Sequence, residues 1–141
     1  MGRIMAFDVG QKRVGIAVSD PSQIIANGLT TLMVHEVLPF VQKYISSEGL
    51  DIFVVGYARQ ANGSDSESMV YIRPFVKSLQ NKFPHIPVEW VDERYTSQIA
   101  FQTMIDGGLK KQARRDKALI DKISATIILQ SYLESKGMRG L

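Results

Sequence analysis

The sequence predicts an α/β fold built on a mixed five-stranded sheet, and three patterns carry that prediction. Three β-rich segments, residues 3–9, 13–19 and 24–33, follow one another with short connections, which is typical of an antiparallel meander. The hydrophobic period then changes from that of a strand to that of a helix. Further along, the apolar run at residues 51–56 lies between helical patterns, which favours a parallel strand buried on both faces.

The middle of the chain is predicted to contain two helices separated by that strand. An apolar stripe from Val34 to Ile45 predicts the first helix, and Gly49 can terminate it. Residues 57–68 are small and polar, as is typical of a loop. The second helix follows this loop, and Pro74 within its pattern predicts a kink or a late start.

The last part of the chain adds one strand and two helices. The strand is predicted at residues 87–91, and the next helix from a cap at Thr96-Ser97 to Gly107-Gly108. The final helix is predicted from the cap Asp116 to about Ser135. The order β-β-β-α-β-α-β-α-α predicts three antiparallel strands, then parallel βα units, with helices on both faces of the sheet. This is the ribonuclease H-like architecture.

Length and composition favour a single compact domain. The chain has 141 residues, 45% of them hydrophobic, and we expect one domain over residues 1–141 with a flexible tail at about 136–141. It has no cysteine and two histidines, which excludes thiolate zinc sites and histidine-rich metal sites. No apolar run matches a membrane span and no leader pattern is present, so we expect a cytoplasmic protein without membrane contact. The net charge of +3 permits a polyanionic partner.

Three acidic residues fall where this topology would bring them together. Asp8 ends the first strand, Glu93 follows the fifth, and Asp121 lies in the first turns of the last helix. The small residues Ser124 and Ala125 would let that helix approach the sheet edge where the strands end. Converging carboxylates repel one another unless cations neutralise them, and oxygen ligands suit Mg²⁺ or Mn²⁺. Since two such ions can activate water and stabilise a leaving oxygen, the predicted chemistry is phosphodiester hydrolysis.

Each acid also has a purely structural interpretation. Asp8 could accept backbone hydrogen bonds in a turn. Glu93 could form a surface ion pair with the arginine that follows it, and Asp121 could favour a helix N-terminus through the macrodipole. Whether Asp92 contributes to the acidic site is left open by the pattern. The metal site is favoured because the three positions converge.

Basic residues cluster around the predicted acidic edge. A charge run is usually a solvated loop, but beside a metal site it can hold a phosphate backbone without reading sequence. Gly10 and Gly15 are predicted to allow close backbone approach near the site. The candidate nucleic-acid-binding residues are Lys12, Arg13, Arg59, Lys110, Lys111, Arg114, Arg115 and Lys117.

Four sequence blocks, spread over nearly the whole chain, form a specific combination. They are Phe7-Asp8-Val9-Gly10, Arg13-Val14-Gly15-Ile16, Asp92-Glu93-Arg94-Tyr95-Thr96-Ser97 and Ile120-Asp121-Lys122-Ile123-Ser124-Ala125. In order and spacing the chain resembles the bacterial YqgF family, described first as Holliday-junction resolvases and later as nucleases that mature the 5′ end of small-subunit ribosomal RNA. The resemblance implies a ribonuclease H-like fold and a divalent-metal nuclease site at Asp8, Glu93 and Asp121.

The chain departs from the usual family pattern in two places. Tyr57-Ala58 stands where Leu-Pro is usual, which changes the loop expected to approach substrate, and Ser124 stands where alanine is usual. Neither departure removes a candidate metal ligand.

The leading hypothesis is a Mg²⁺- or Mn²⁺-dependent endonuclease on structured RNA, which the resemblance implies to be pre-16S ribosomal RNA. A Holliday-junction resolvase acting on four-way DNA would share the chemistry but generally calls for a two-fold dimer, and the sequence is compatible with a monomer or a weak homodimer. A nucleic-acid-binding accessory protein without catalysis is a further alternative, because an acidic set does not prove turnover. An ATP-binding relative of sugar kinases and actin would need two such domains.

Overall fold

A mixed β-sheet with helices on both faces is the frame that positions the candidate site. The computed structural model describes residues 2–57, 69–92 and 117–139. The elements in chain order are β1 (Arg3–Val9), β2 (Arg13–Ser19), β3 (Ala26–Met33), α1 (Val34–Ser47), β4 (Leu50–Tyr57), α2 (Met69–Lys82), β5 (Val88–Asp92) and α3 (Lys117–Arg139).

The strands are arranged in the order β3-β2-β1-β4-β5, which puts β1 at the centre. β2 pairs antiparallel with both β1 and β3, whereas β4 pairs parallel with both β1 and β5. The carboxyl ends of β1, β4 and β5 therefore open on one side of the sheet, which we call the carboxyl edge. The mixed five-stranded sheet predicted from the sequence is confirmed.

The two faces of the sheet carry different cores. On the α1/α2 face, both helices bury side chains against large strand residues such as Phe7 and Phe53. On the α3 face, Ala125 and Ile128 pack against small strand residues such as Ala6. Alternation along β1 explains the division, because successive side chains point to opposite faces of a strand.

The beginning of β3 differs from the prediction for a local reason. The strand starts at Ala26 rather than near Ile24. The Asp20 carboxylate accepts hydrogen bonds from the backbone N–H groups of Ile24 and Ile25, at 2.7 and 2.8 Å. These bonds hold the two residues in a turn, so the strand begins after them.

The structure corrects two predicted helix limits. Of the kink or late start predicted at Pro74, the late start is wrong, because α2 runs from Met69 to Lys82 and includes Pro74. Pro74 is exposed while its neighbours Ile72, Phe75 and Val76 are buried, so packing of the apolar face offsets the lost backbone hydrogen bond. α3 continues to Arg139, beyond the predicted end near Ser135.

Several predicted features lie outside the described residues. They are residues 58–68 of the predicted polar loop, the helix predicted from Thr96-Ser97 to Gly107-Gly108, and the basic connector that follows it. Tyr57, predicted to begin that loop, instead ends β4. Of the helices in the described part of the chain, none combines the length and the apolar character needed to cross a bilayer.

Candidate metal and nucleic-acid site

Asp8 lies at the carboxyl edge on the α3 face. It follows Ile4 and Ala6 at the two-residue period of a strand, and both of these residues belong to the core beneath α3. Its strand partner on β2 is Gly15. Asp8 is only partly exposed, so a carboxylate is held where the last helix covers the sheet.

Gly15 allows α3 to pass directly over the strand position beside Asp8. A Cβ atom at Gly15 would overlap the backbone carbonyl group of Asp121 and would lie 3.0 Å from the backbone nitrogen of Lys122. A residue without a side chain is therefore required for this approach of helix to sheet. Because Gly15 is the partner of Asp8, the same approach brings Asp121 close enough to Asp8 for their charges to repel.

Further contacts hold the first turns of α3 in this position. The Thr31 hydroxyl group donates a hydrogen bond to the backbone carbonyl oxygen of Ala118, at 2.6 Å. Ala125 and Ile128 are fully buried against the sheet. The predicted approach through small residues is confirmed at Ala125, whereas Ser124 stays partly exposed.

Burial and a neighbouring charge both act on Asp8. Removal from water, followed by repulsion from Asp121, raises the pKa of Asp8 to about 7. Without a cation, the folded protein thus retains the proton of this carboxyl group up to near-neutral pH. A bound cation would favour the ionised form instead. Acids perturbed in this way are concentrated at functional sites.

Asp121 has a cationic partner in Arg13. Nε of Arg13 donates a hydrogen bond to Oδ2 of Asp121 at 3.2 Å, and both side chains are partly exposed. The turn between β1 and β2 is closed by the N–H of Gly10, which donates to the carbonyl oxygen of Arg13 at 2.8 Å. Beside this ion pair lies a cavity of about 380 Å³, which we call the β1–β2 cavity, lined by Gly10, Gln11, Lys12, Arg13 and Asp121.

The end of β5 places its acid on the other face of the sheet. Val91 packs against the core beneath α3, so alternation puts Trp90 and Asp92 on the α1/α2 face. The ring contact of Trp90 agrees, because it meets Tyr57 edge-to-face with centroids 5.7 Å apart and Tyr57 belongs to the α1/α2 core. Asp92 is therefore not on the face that carries Asp8. Glu93 lies outside the described residues, and its role stays a prediction.

The structure locates three of the predicted basic residues. Lys12 is exposed in the β1–β2 turn, Arg13 begins β2, and Lys117 begins α3. The other predicted nucleic-acid-binding residues lie outside the described ranges: Arg59, Lys110, Lys111, Arg114 and Arg115.

The donor set fits a hard divalent cation. Asp8 and Asp121 offer only oxygen atoms, which are the ligands that Mg²⁺ and Mn²⁺ prefer. The guanidinium group of Arg13 on Asp121 is an observed positive charge at this site. In residues 2–57, 69–92 and 117–139, no group of three His, Cys, Asp or Glu side chains could hold a metal ion. Further ligands would come from water, from substrate or from residues outside those ranges.

The fold and the paired carboxylates define a class: ribonuclease H-like α/β proteins with acids at the carboxyl end of the central strand. The structure described as T. thermophilus RuvC in complex with Holliday junction substrate matches this chain with a TM-score of 0.59. The match covers 98% of this chain and 97% of that one, at 14% sequence identity. At that identity the likeness establishes the fold alone.

Sequence comparison establishes the family. The profile described as RuvX: Holliday junction resolvase matches residues 2–135. The chain is 58% identical to a protein of Phocaeicola vulgatus over 136 residues, which are 96% of this chain and 98% of the relative. It is 56% identical to a relative in Bacteroides thetaiotaomicron (96% and 99% covered) and 53% identical to one in Porphyromonas gingivalis (96% and 98% covered). All three relatives are named "Putative pre-16S rRNA nuclease". The chain belongs to the RuvX family, which confirms the family resemblance found in the sequence.

One feature of the site was missed by sequence reasoning. The pattern assigns Arg13 to phosphate binding, whereas the structure pairs its guanidinium group with Asp121. The two residues are 108 positions apart, so no local pattern links them. The signal in the sequence is a basic residue three positions after the glycine of the Asp-x-Gly block.

Proposed function

We propose that this protein is a metal-dependent endonuclease that cleaves phosphodiester bonds during 5′ maturation of pre-16S ribosomal RNA. The observation that carries the proposal is the approach of Asp121 to Asp8 over Gly15, at the carboxyl edge of the sheet. Membership of the RuvX family supports nuclease chemistry, and the names of the relatives support ribosomal RNA as the substrate. A role in ribosomal RNA maturation implies a cytoplasmic protein.

In this proposal Asp8 and Asp121 hold Mg²⁺ or Mn²⁺ together with Glu93. Asp92 is left out of the ligand set because it lies on the α1/α2 face. When bound, such ions activate water for attack and stabilise the leaving oxygen of a phosphodiester. Asp8 would hold the cation in its ionised form, and its pKa of about 7 leaves it partly protonated near neutral pH when no cation is bound.

The polar side of the site is proposed to hold the nucleic-acid backbone. Lys12 and Arg13 border the β1–β2 cavity beside Asp121, so a phosphate group there would meet positive charge. The basic residues of the connector before α3, together with Arg59, would contact further phosphates along the nucleic-acid backbone. Such contacts bind phosphate without reading sequence, so the selection of the cleavage site falls to RNA structure.

The proposal is tested by cleavage assays on two substrates. Wild-type protein is incubated with a pre-16S transcript and with a synthetic four-way DNA junction, each with Mg²⁺, Mn²⁺ or EDTA. We expect metal-dependent cleavage of the transcript, reduced at least about 100-fold in Asp8→Asn and in Asp121→Asn. Glu48→Gln is the matched control, because Glu48 pairs with Arg3 at the other end of β1. It should cleave like the wild type.

The other outcomes decide between the alternatives. Cleavage of the junction alone would move the substrate from RNA to branched DNA. Tight binding of the transcript without cleavage under either metal would show that the protein is an RNA-binding accessory protein and not a nuclease. Cleavage that persists unchanged in Asp8→Asn would exclude the proposed site.

A further inference from the structure

We propose that Arg13 exchanges its contact with Asp121 for a substrate phosphate when the acidic site takes up a divalent cation. The inference rests on the proposed function, since it concerns how the same site loads metal and substrate. Arg13 would then be a positioning residue that links the two binding events.

Arg13 and a metal ion would compete for the same carboxylate. Nε of Arg13 already donates to Oδ2 of Asp121. A divalent cation on Asp8 and Asp121 would balance both negative charges, and it would repel a guanidinium group held at hydrogen-bond distance. The attraction that holds Arg13 in place therefore falls when the cation enters.

The surroundings of Arg13 permit this exchange without a change of fold. Its backbone is fixed, because its carbonyl oxygen accepts from Gly10 and the carbonyl oxygen of Lys12 accepts from the N–H of Val34 at 3.0 Å. Its side chain, in contrast, is 37% exposed, and its partner Asp121 is 26% exposed. An ion pair with this exposure is weak, so the Arg13 side chain can rotate away from Asp121 while the backbone of the β1–β2 turn stays in place.

The β1–β2 cavity gives the released guanidinium group a destination. Arg13 lines this cavity next to the exposed Lys12. A guanidinium group presents several donors in a planar fork, which suits bidentate binding of a phosphate. The side chains of Lys12 and Arg13 would therefore bind a phosphate in the β1–β2 cavity more strongly once Asp121 no longer holds Arg13.

The first measurement is Mn²⁺ binding to the full chain by calorimetry, without nucleic acid. Arg13→Gln removes the competitor, so we expect Mn²⁺ affinity to rise about threefold to tenfold. Lys12→Gln removes an equal charge from the adjacent position while leaving the Arg13–Asp121 hydrogen bond in place, and should change the affinity less than about twofold. Arg3→Gln, at the other end of β1, should leave it unchanged.

The second measurement is RNA binding by fluorescence anisotropy, in EDTA and in Ca²⁺. We expect Ca²⁺ to tighten binding of the pre-16S transcript by about tenfold in the wild type and by less than about threefold in Arg13→Gln. Arg13→Lys keeps the charge but lacks the planar fork, so its gain should be intermediate. This second variant also keeps the test usable if Arg13→Gln folds poorly, which thermal unfolding would reveal.

The results separate failure of this inference from failure of the proposed function. If Asp8→Asn loses Mn²⁺ binding but Arg13→Gln binds Mn²⁺ no tighter than the wild type, Arg13 merely orients Asp121 and the exchange is excluded. Equal tightening in Lys12→Gln and Arg13→Gln would also exclude it, since a general field effect would suffice. If the wild type and Asp8→Asn bind Mn²⁺ equally, the proposed metal site is wrong, and the exchange that depends on it is excluded as well.

Discussion

The two faces of the sheet use adjacent residues of one strand for different purposes. On the α1/α2 face, Phe7 contacts Phe53 and Phe75 with ring centroids 5.7 and 5.4 Å apart. On the α3 face, one residue further, Asp8 lies beside Gly15, where a helix backbone comes down to the sheet. Large side chains stabilise the first face by excluding water. On the second face, the absence of a side chain at Gly15 makes room for α3 to bring Asp121 towards Asp8.

Truncating a large side chain on the α1/α2 face should have the largest effect on the free energy of unfolding. Phe53 is fully buried and contacts Phe7 and Phe83, so Phe53→Ala should lower the free energy of unfolding by about 3–5 kcal/mol. Urea denaturation gives this value. Mn²⁺ affinity of the folded variant should stay within about twofold of the wild type, because the void left by the phenylalanine ring lies on the α1/α2 face, away from Asp8 and Asp121. A loss of metal binding as large as that of Asp8→Asn would show that the two faces are not independent.

The buried Asp8 on the α3 face should instead make the free energy of unfolding depend on pH. The pKa of Asp8 is raised from 3.8 to about 7, so between these values the folded state holds a proton that the unfolded chain has released. The free energy of unfolding of the metal-free protein should therefore fall as pH rises from about 4 to about 7, and this contribution should level off above that range. By the usual conversion the total is up to about 4 kcal/mol.

Comparison with Asp8→Asn isolates this effect from other titrating groups. Both proteins are unfolded in urea with EDTA at a series of pH values from about 4 to about 8. Because asparagine does not titrate, the variant should gain stability relative to the wild type as pH rises. Curves that stay parallel across this range would contradict a desolvated carboxyl group at this position.

A smaller but more specific effect is expected from adding a single methyl group beneath α3. Gly15→Ala puts a Cβ atom against the Asp121 backbone, so the helix must shift, at a cost of about 1–3 kcal/mol and with weaker Mn²⁺ binding. Gly28→Ala is the matched control under the same helix. There the new atom would meet the flexible side chain of Lys122 and the hydroxyl of Thr126, both at 3.0 Å, so the cost should be under about 1 kcal/mol.

The two glycine variants are compared by thermal unfolding and by calorimetry with Mn²⁺. Equal losses in both measurements would mean that the close approach at Gly15 has no special role in the site. A selective loss of metal binding in Gly15→Ala would instead tie the site to the position of the helix.

Local chemistry explains which parts of the fold were predictable. Alternation and turn residues predicted β1 and β2 with their observed bounds, and Gly49 follows α1 with a positive φ of 79° as a helix-ending glycine should. The late start that was one of the two outcomes predicted at Pro74 was wrong, because burial of one face of α2 outweighed the local penalty of proline. The start of β3 was misplaced because a single side chain, Asp20, holds the residues before it in a turn.

The site was predictable in part for the same reason. Asp8 and Asp121 could be expected to meet if β1 is central, because Asp8 ends that strand and small residues on α3 let the helix approach the sheet; the central place of β1 came from the structure. The exclusion of Asp92 required knowledge of which face Val91 and Trp90 occupy, and this depends on neighbouring strands. The part played by Glu93 stays a prediction of the sequence.

By itself, the sequence determined the mixed five-stranded sheet, the bounds of β1 and β2, and the family of the chain. These properties depend on period, composition and short motifs, which are local along the chain. Only the tertiary structure decided that α3 lies on Gly15 and that Arg13 binds Asp121. The contact between Arg13 and Asp121 joins residues 108 positions apart, and the approach of α3 to Gly15 depends on steric fit between a helix and a sheet.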